Sequence, residues 1–464
     1  MTSTVLHLGL GAFHRAHQLA TMQDLHDAGD TRWAYVSGNI RPDPLDPAVI
    51  LRSQECAYTL ETVSPAGERT WRRITSLRDA LPWTPGLGEL LAVGAEASTR
   101  IVSFTVTEAG YQLDSEGRLD AAAGEVQKAV ADAQAGRAGG SIYSVLAAIL
   151  RLRRDRNAGP ITLLCCDNLR HNGRRVQRAF ADFLALAGDA ELAAWTAANT
   201  SFPNTMVDRI TPVATPALQE RVRAATGRED LAAVGAESYL QWVLEDDFRN
   251  GRPAWENVGA QLVQAVEPYE EAKIRVLNAS HSAIAWAGSL AGYRFIDEAL
   301  RDTRIRALAH AWITDAVFDC LRPSPIDLEA YRDSILERFA SVSNRDTVER
   351  VLADSFSKLP GFVVPTIRER IRRSLPLDSA AVLPALFLQV LLRWHAGRLE
   401  VHYRDQAYDA AVAGAICAAG DPVAVFCDQP LLWGELAGDM RLEQAVRAAM
   451  DAATAMAKDA SVQS

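Results

Sequence analysis

The stretch that most constrains this chain lies at its N terminus, where the short apolar run Thr4–Leu8 ends in Gly9-Leu10-Gly11 and a helical pattern follows to about Ala28. Strand, tight glycine turn and helix in that order open a layered α/β fold on a parallel sheet. Further strands are expected at Trp33–Ser37, Arg100–Thr107 and Ile161–Cys166. The alternating segments Tyr58–Val63 and Thr70–Ile74, joined by Ser64-Pro65-Ala66-Gly67, read as a hairpin edging the main sheet. Past Pro268 the texture changes to long helical patterns, among them Tyr269–Leu290, Ser379–Trp394 and Gln444–Lys458. Residues 458–464 are small and polar and read as a frayed end.

The two glycines have a chemical reading. Gly9 and Gly11 let the backbone turn sharply and approach a pyrophosphate, whose charge then sits at the start of the following helix. The first domain is therefore expected to be a Rossmann-type dinucleotide-binding unit over residues 1–268, followed by a mainly α-helical domain over 269–464. Gly9, Gly11, Ala12, Phe13 and Arg15 are the candidate loop contacts, with Arg15 as an added phosphate ligand. The third glycine of the fingerprint is missing, since His14 stands in its place. The second strand runs into Gly38-Asn39-Ile40-Arg41 rather than into the usual ribose-binding carboxylate, so Asn39 is a candidate cofactor contact. Glu55 is a candidate for the missing carboxylate, whereas Arg41 would suit a 2′-phosphate, which leaves NAD against NADP open at this level.

Composition narrows the classes. Of 464 residues, 48% are hydrophobic and 23% charged, the mixture of a globular protein long enough for two or three cores. A formal charge of −10 disfavours a nucleic-acid binder. The densest basic run, Arg151, Arg153, Arg154 and Arg156, follows an apolar segment and reads as a solvated helix end. The six cysteines show neither a CxxC nor a regular spacing, so neither a disulfide frame nor a zinc knuckle is supported. No N-terminal signal and no run of eighteen apolar residues is present, which gives the expectation of a cytoplasmic chain away from membranes.

The chemistry-bearing stretch is Lys273-Ile-Arg-Val-Leu-Asn278-Ala-Ser-His281. At about 100° per residue, Lys273, Asn278 and His281 fall within roughly 70° of the centre of an apolar helix face. Burial lowers a lysine's pKa toward the range where it exchanges protons near neutrality, and an amide and an imidazole beside it can hold an oxygen. Taken singly, each has a bland counterpart: a lysine paired with Glu270, a capping Asn and a satisfied core His. Two strand ends add candidates. Thr107 closes the Arg100–Thr107 strand at the expected crevice, and Asn168 follows Ile161–Cys166, either meeting a ligand or capping a turn. Asp208, in Asn204-Thr-Met-Val-Asp208-Arg209, either accepts substrate hydroxyls or pairs with Arg209.

Together these segments make the chain resemble the polyol-specific long-chain dehydrogenases, the family of mannitol 2-dehydrogenase and fructuronate reductase. Four motifs in order carry the resemblance end to end: Gly9 to His17; Cys166-Asp167-Asn168 with Asn172-Gly173; Asn204 to Pro212; and Lys273-x4-Asn278-x2-His281. Gly38–Arg41, Leu60–Gly67, Pro268–Lys273 and Asp421–Phe426 are most like the branch that interconverts D-arabinitol and D-xylulose. The resemblance implies an NAD-dependent, metal-free oxidation of a secondary alcohol to a ketose, with NADP less favoured. In it Lys273 is general base, Asn168 and Asn278 donate to the developing alkoxide, and His281 and Asp208 bind neighbouring hydroxyls. Arg350 and Lys358 would contact the sugar chain by family position, while Ala353 and Ser355-Phe356 depart from the mannitol enzymes and speak against a hexitol preference. A small-molecule partner and a monomer are implied. Mannitol oxidation, fructuronate or tagaturonate reduction and a non-catalytic nucleotide-binding sensor are the alternatives. A zinc enzyme would need more than His14 and His17, and no Cys/His/Glu cluster completes such a site.

Overall fold

The computed structural model describes residues 2–114, 117–342 and 345–457; the tail segment 458–464 lies outside them. Twelve strands follow in chain order: β1 Ser3–Leu8, β2 Trp33–Gly38, β3 Tyr58–Val63, β4 Arg69–Ile74, β5 Leu77–Leu81, β6 Thr99–Phe104, β7 Ile161–Cys165, β8 Thr200–Ser201, β9 Thr205–Asp208, β10 Val234–Glu237, β11 Gln241–Glu245 and β12 Gln261–Val263. The main sheet has the order β5-β2-β1-β6-β7-β8, and every pairing in it is parallel. Strand order reverses between β1 and β6, the position at which an open α/β sheet forms its ligand crevice. The strands expected at Thr4–Leu8 and Trp33–Ser37 form, and the helical pattern after the glycine turn divides at His17 into Ala12–Ala16 and Gln18–Asp27.

Both faces of this sheet are covered, as a parallel sheet requires. Leu6, Leu8, Val102, Phe104 and Leu163 pack on one side with helices Ile142–Asp155 and Asn172–Ala187. Val5, Tyr35, Ile101 and Leu164 pack on the other with Leu19, Met22 and Trp242. The expected hairpin forms, with Tyr58 opposite Ile74, but it does not edge the main sheet. It joins β10 in a separate three-stranded sheet, because β3 is taken by parallel pairing from Val234–Glu237. A third small sheet combines β12, β11 and β9.

Arg153 corrects the reading of the basic run. It falls on the same helix stripe as Ile142, Leu146 and Ile149, and it is fully buried rather than solvated. Its guanidinium donates to the carbonyls of Gly94, Glu96, Thr99, Ala158, Gly159 and Pro160 at 2.7 to 3.4 Å. Burial pulls its pKa down to about 10. One side chain thus serves carbonyls at the entrances to both β6 and β7, beside the Thr99 N–H on Glu96 O and the Asn250 amide on Pro160 O.

Contacts divide the chain into a first unit, Met1–Ser64 with Glu68–Glu267, and a second, Pro65–Gly67 with Pro268–Ser464. The second unit is mainly helical, with a core containing Trp286, Trp312, Phe387 and Trp433. All six cysteines are free thiols. Among the described residues no helix is long and apolar enough to cross a membrane.

Arg153→Leu is expected to lower the free energy of unfolding by roughly 3 to 5 kcal/mol, since it removes the donor shared by six buried and part-buried carbonyls. Urea denaturation measures it, and a wild-type midpoint would mean that those carbonyls find other donors.

Candidate active site

The turn after β1 is fixed by steric exclusion. Gly9 has φ +112°, and a Cβ there would lie 2.1 Å from the carbonyl oxygen of Thr105. Only glycine tolerates both conditions. The Leu10 N–H donates to Asn39 Oδ1 at 2.8 Å, tying the turn to the end of β2, and the Gly11 N–H donates to Gly9 O at 2.8 Å. A Cβ on Gly11 would meet nothing within 4 Å, so the loop is open on that side. Beside it lies a cavity of about 320 Å³ lined by Gly9, Asn39, Arg41, Asp43, Thr105 and Val106 among others. A glycine turn without room for a side chain, an open second glycine and a crevice at the reversal of strand order fit a dinucleotide.

His14 replaces the missing glycine by filling the space instead of leaving it empty. Its ring stacks on His7 of β1, with centroids 3.5 Å apart and planes 3° from parallel. His14 Nδ1 lies 3.1 Å from Gln18 Oε1, an acceptor, so Nδ1 carries the proton and Nε2 accepts from the Ser37 hydroxyl at 3.0 Å. His7 bonds Ser103 at 2.8 Å and Thr105 at 3.1 Å. Burial drives both imidazoles down, His7 to about 3 and His14 well below its usual range, with the neighbouring His7 adding to the effect on His14. His17 turns its Nε2 to the carbonyl of Gln241 at 3.1 Å. Among the described residues no cluster of three or more His, Cys, Asp or Glu could hold a metal ion.

Arg15 does not face the crevice. It is buried, with Nε 3.3 Å from Gly11 O and a second donor 2.5 Å from Ala232 O. Helical winding from Gly11 turns its side chain inward, so the donors expected to meet a phosphate are spent on backbone carbonyls and brace the loop from behind. Glu55 is exposed at φ +57° in the turn after helix Pro47–Ser53 and is not among the residues that line the cavity. The carboxylate that does line it is Asp43. Ala12 and Phe13 are half-buried at the start of the first helix, and the Phe13 ring stacks on His17.

At the ends of β6 and β7 the organising group is Asp167, which the sequence reading passed over beside Asn168. Its carboxylate accepts from the N–H of Val106 at 2.7 Å, the N–H of Thr107 at 3.2 Å and the Tyr111 hydroxyl at 2.6 Å. Burial nevertheless raises its pKa, against the effect of those bonds. The tie holds Thr107 at φ +66°, a conformation that β-branched residues adopt only when their surroundings impose it. Asn168 is exposed immediately beyond this carboxylate. The turn itself is tied by Asn172, which donates to Cys165 O, Asp167 O and Thr205 Oγ1 and accepts from Gly173 and Thr205. Asp208 ends β9 in register with Gln241 and is buried. Arg209 directs its donors to Glu237 O and Ala16 O.

In the second unit, Lys273–Asn278 is wound as a π-helix and passes at Ala279 into the α-helix Ala279–Ala291. This corrects the 100° winding assumed from the sequence. In an α-helix residues 273 and 278 would be about 140° apart, whereas i→i+5 bonding stacks them on one side. Lys273 is 7% exposed, and Asn278 is half-buried. His281 stacks on Phe339 at 4.5 Å, and its Nε2 is 3.4 Å from Asp346 Oδ2, an ion-pair distance rather than a formed hydrogen bond. Burial lowers the His281 pKa against the pull of Asp346. Asp346 also takes the fork of Arg350, with Nε to Oδ1 at 2.6 Å and a closer second bond. Burial would raise that carboxyl, but His281 and Arg350 outweigh it and hold it far below the usual range. Asp346 was legible as the i,i+4 partner of Arg350. Lys358 donates to Val351 O at 2.7 Å, and burial lowers its pKa.

A glycine-turn crevice at the reversal point of a parallel sheet, with a helical unit carrying a buried lysine and amide, defines a nicotinamide-dinucleotide oxidoreductase. Residues 3–257 match the mannitol dehydrogenase Rossmann domain and 265–454 the mannitol dehydrogenase C-terminal domain, so the chain belongs to the mannitol dehydrogenase family. It is 50% identical over 446 residues to a D-arabinitol 4-dehydrogenase of Ralstonia nicotianae, covering 96% of this chain and 95% of that one. It is 46% identical over 436 residues to a D-arabinitol 4-dehydrogenase of Klebsiella pneumoniae, covering 94% and 95%. Among solved structures, mannitol 2-dehydrogenase of Pseudomonas fluorescens in ternary complex with NAD and D-mannitol aligns with a TM-score of 0.80 at 33% identity, over 98% of this chain and 92% of that one. A substrate-free D-sorbitol dehydrogenase aligns with a TM-score of 0.88 at 31% identity, over 99% and 95%. The protein is a dehydrogenase acting on polyol CH–OH groups.

Two outcomes are expected. Gly9→Ala should weaken dinucleotide binding at least about tenfold, by the strain of a positive φ and a collision with backbone; unchanged affinity in a titration of cofactor fluorescence would refute the steric argument. The stacked histidines should make stability acid-sensitive. The unfolded chain takes up protons from about pH 6.5 downward while the native state keeps both rings neutral, so stability complete above pH 6.5 drains as pH falls toward 3. The slope is on the order of 2.5 kcal/mol per pH unit for the pair. In urea melts between pH 6.5 and 5, a His7→Asn/His14→Gln variant should lose this slope, and an equal slope in both proteins would contradict the assignment.

Proposed function

We propose that the chain interconverts D-arabinitol and D-xylulose with NAD, using Lys273 as general base without a metal. The observation that carries the mechanism is the π-wound segment, which sets a buried amine and an amide on one side. The neutral Lys273 amine takes the hydroxyl proton of the substrate alcohol. Asn168 and Asn278 donate amide N–H bonds to the alkoxide oxygen as its charge develops, a kind of contact worth about 3 kcal/mol. NAD, when bound, would supply the hydride acceptor that the oxidation to a ketone requires. His281 and Asp208 hold adjacent hydroxyls, and Lys358, with one donor on Val351 O, keeps others for the sugar chain.

In the first unit, Gly9, Gly11, Ala12, Phe13, Asn39 and Thr107 hold the dinucleotide. NAD is favoured over NADP by two side chains. Asp43 lines the crevice and would repel a 2′-phosphate, while Arg41 is engaged with Gly140 O at 2.9 Å and Glu125 at 3.1 Å. A neutral polyol is favoured over a sugar acid because Arg350, the cation best suited to a substrate carboxylate, is already forked onto Asp346. The two D-arabinitol 4-dehydrogenases at 50% and 46% identity support the pentitol.

NADH formation with D-arabinitol, D-mannitol, D-sorbitol and xylitol tests the reading, alongside NADH oxidation with D-fructuronate. D-Arabinitol should give the highest kcat/KM, rising with pH because the uncharged amine is the active form; turnover of D-fructuronate alone would sink the assignment. Lys273→Ala should cut kcat by about 10²- to 10⁴-fold and leave NADH binding unchanged.

A further inference from the structure

Among the described residues of the second unit three segments are π-wound: Lys273–Asn278, Trp312–Val317 and Leu359–Val363. The first packs against both of the others. A π turn carries one residue more than the α ladder accommodates, so it persists only where tertiary contacts favour it over α winding. One such contact is explicit. Trp312, fully buried at the start of the second π segment, donates its indole N–H at 2.8 Å to the carbonyl of Arg275, in the middle of the first. The Arg275 side chain is held separately, by Glu271 at 2.7 Å.

We propose that Trp312 is a positioning residue for the dehydrogenase reaction: its indole N–H bond to the Arg275 carbonyl holds Lys273–Asn278 in π winding and so keeps the lysine and the asparagine on a common side. This rests on the reading of Lys273 as base and Asn278 as oxyanion donor. If the bond is lost and the segment relaxes toward α winding, the two side chains come to lie about 140° apart. Both groups then remain in the protein, but no longer act on one oxygen. The effect should fall on turnover, because a displacement of about 1 Å at a reacting centre can cost on the order of a hundredfold.

The test separates the N–H from the ring volume. Trp312→Phe keeps most of the volume and removes the donor. Trp312→His removes the benzo ring but carries Nε2 where the indole nitrogen stands, and Trp312→Leu has neither ring nor donor. Steady-state oxidation of D-arabinitol with NAD, its pH profile and NADH binding are measured on each. Trp433→Phe, which loses an indole bond to Phe426 O in the same unit, serves as the comparison. We expect Trp312→Phe to lose kcat by about 10- to 100-fold, with a displaced pH profile, unchanged NADH affinity and little change in KM. Trp312→His should recover kcat relative to Phe and Leu although it is less stable than Phe, and Trp433→Phe should retain kcat. Should the Phe variant not fold, the His and Leu pair carries the same comparison.

Wild-type kcat and pH profile in Trp312→Phe would overturn the proposal, as would activity that follows ring volume or an equal loss in Trp433→Phe. Lys273→Ala is run in parallel. A silent Trp312→Phe beside an inactive Lys273→Ala removes this inference alone, whereas an active Lys273→Ala removes the reading beneath it.

Discussion

The first unit depends on a place where a side chain cannot be. Gly9 brings its backbone against the Thr105 carbonyl, and any Cβ would occupy the space of that oxygen. The approach fixes the end of β1 against the end of β6, where strand order reverses and the crevice opens. The surrounding bonds extend the constraint. Asn39 ties the same turn to β2, Asp167 ties the Thr105–Thr107 stretch to β7, and the His7–His14 stack supports it from below. Four strand ends therefore share one rigid rim, and a cofactor would meet a prepared surface instead of ordering one.

The second unit organises its polar groups by different means. Lys273, Asn278 and His281 all sit in one helix, so their relation depends on how that helix winds. The long tryptophan-rich core supplies the stiffness, and Asp346 joins His281 to Arg350 so that a buried imidazole and an exposed guanidinium share one carboxylate. Such a network fixes orientation more than it adds stability, since an ion pair with one solvent-exposed partner contributes about 0 to 1 kcal/mol.

Much of this was legible in the sequence, for identifiable reasons. The glycine turn, the parallel strands and the switch to helices past residue 268 are local patterns, and the structure carries them with boundaries displaced by a residue or two. What escaped was set by partners far along the chain. The π winding at Lys273–Asn278 involves a tryptophan 37 residues away, and a helical wheel has no means of registering it. Arg15 was expected to contact phosphate from its place in the glycine turn; its inward turn follows from Ala232 O, more than two hundred residues later. The hairpin was read correctly as a hairpin, but β10 claimed its free edge. Asp167 lies beside Asn168 and Asp346 one helical turn before Arg350, so both belong to local pairings that a motif of separated residues does not contain.

Arg153 also bears on the order in which the first unit assembles. Its six carbonyl partners come from the segments just before β6 and just before β7, which are some sixty residues apart in sequence. Until helix Ile142–Asp155 docks, both segments lack the donors that Arg153 supplies, and once it docks both acquire them together. The two strands therefore enter the sheet as one cooperative block. Their amides should exchange with solvent through a common opening, and that block is a natural nucleus from which the outer strands of the sheet are added.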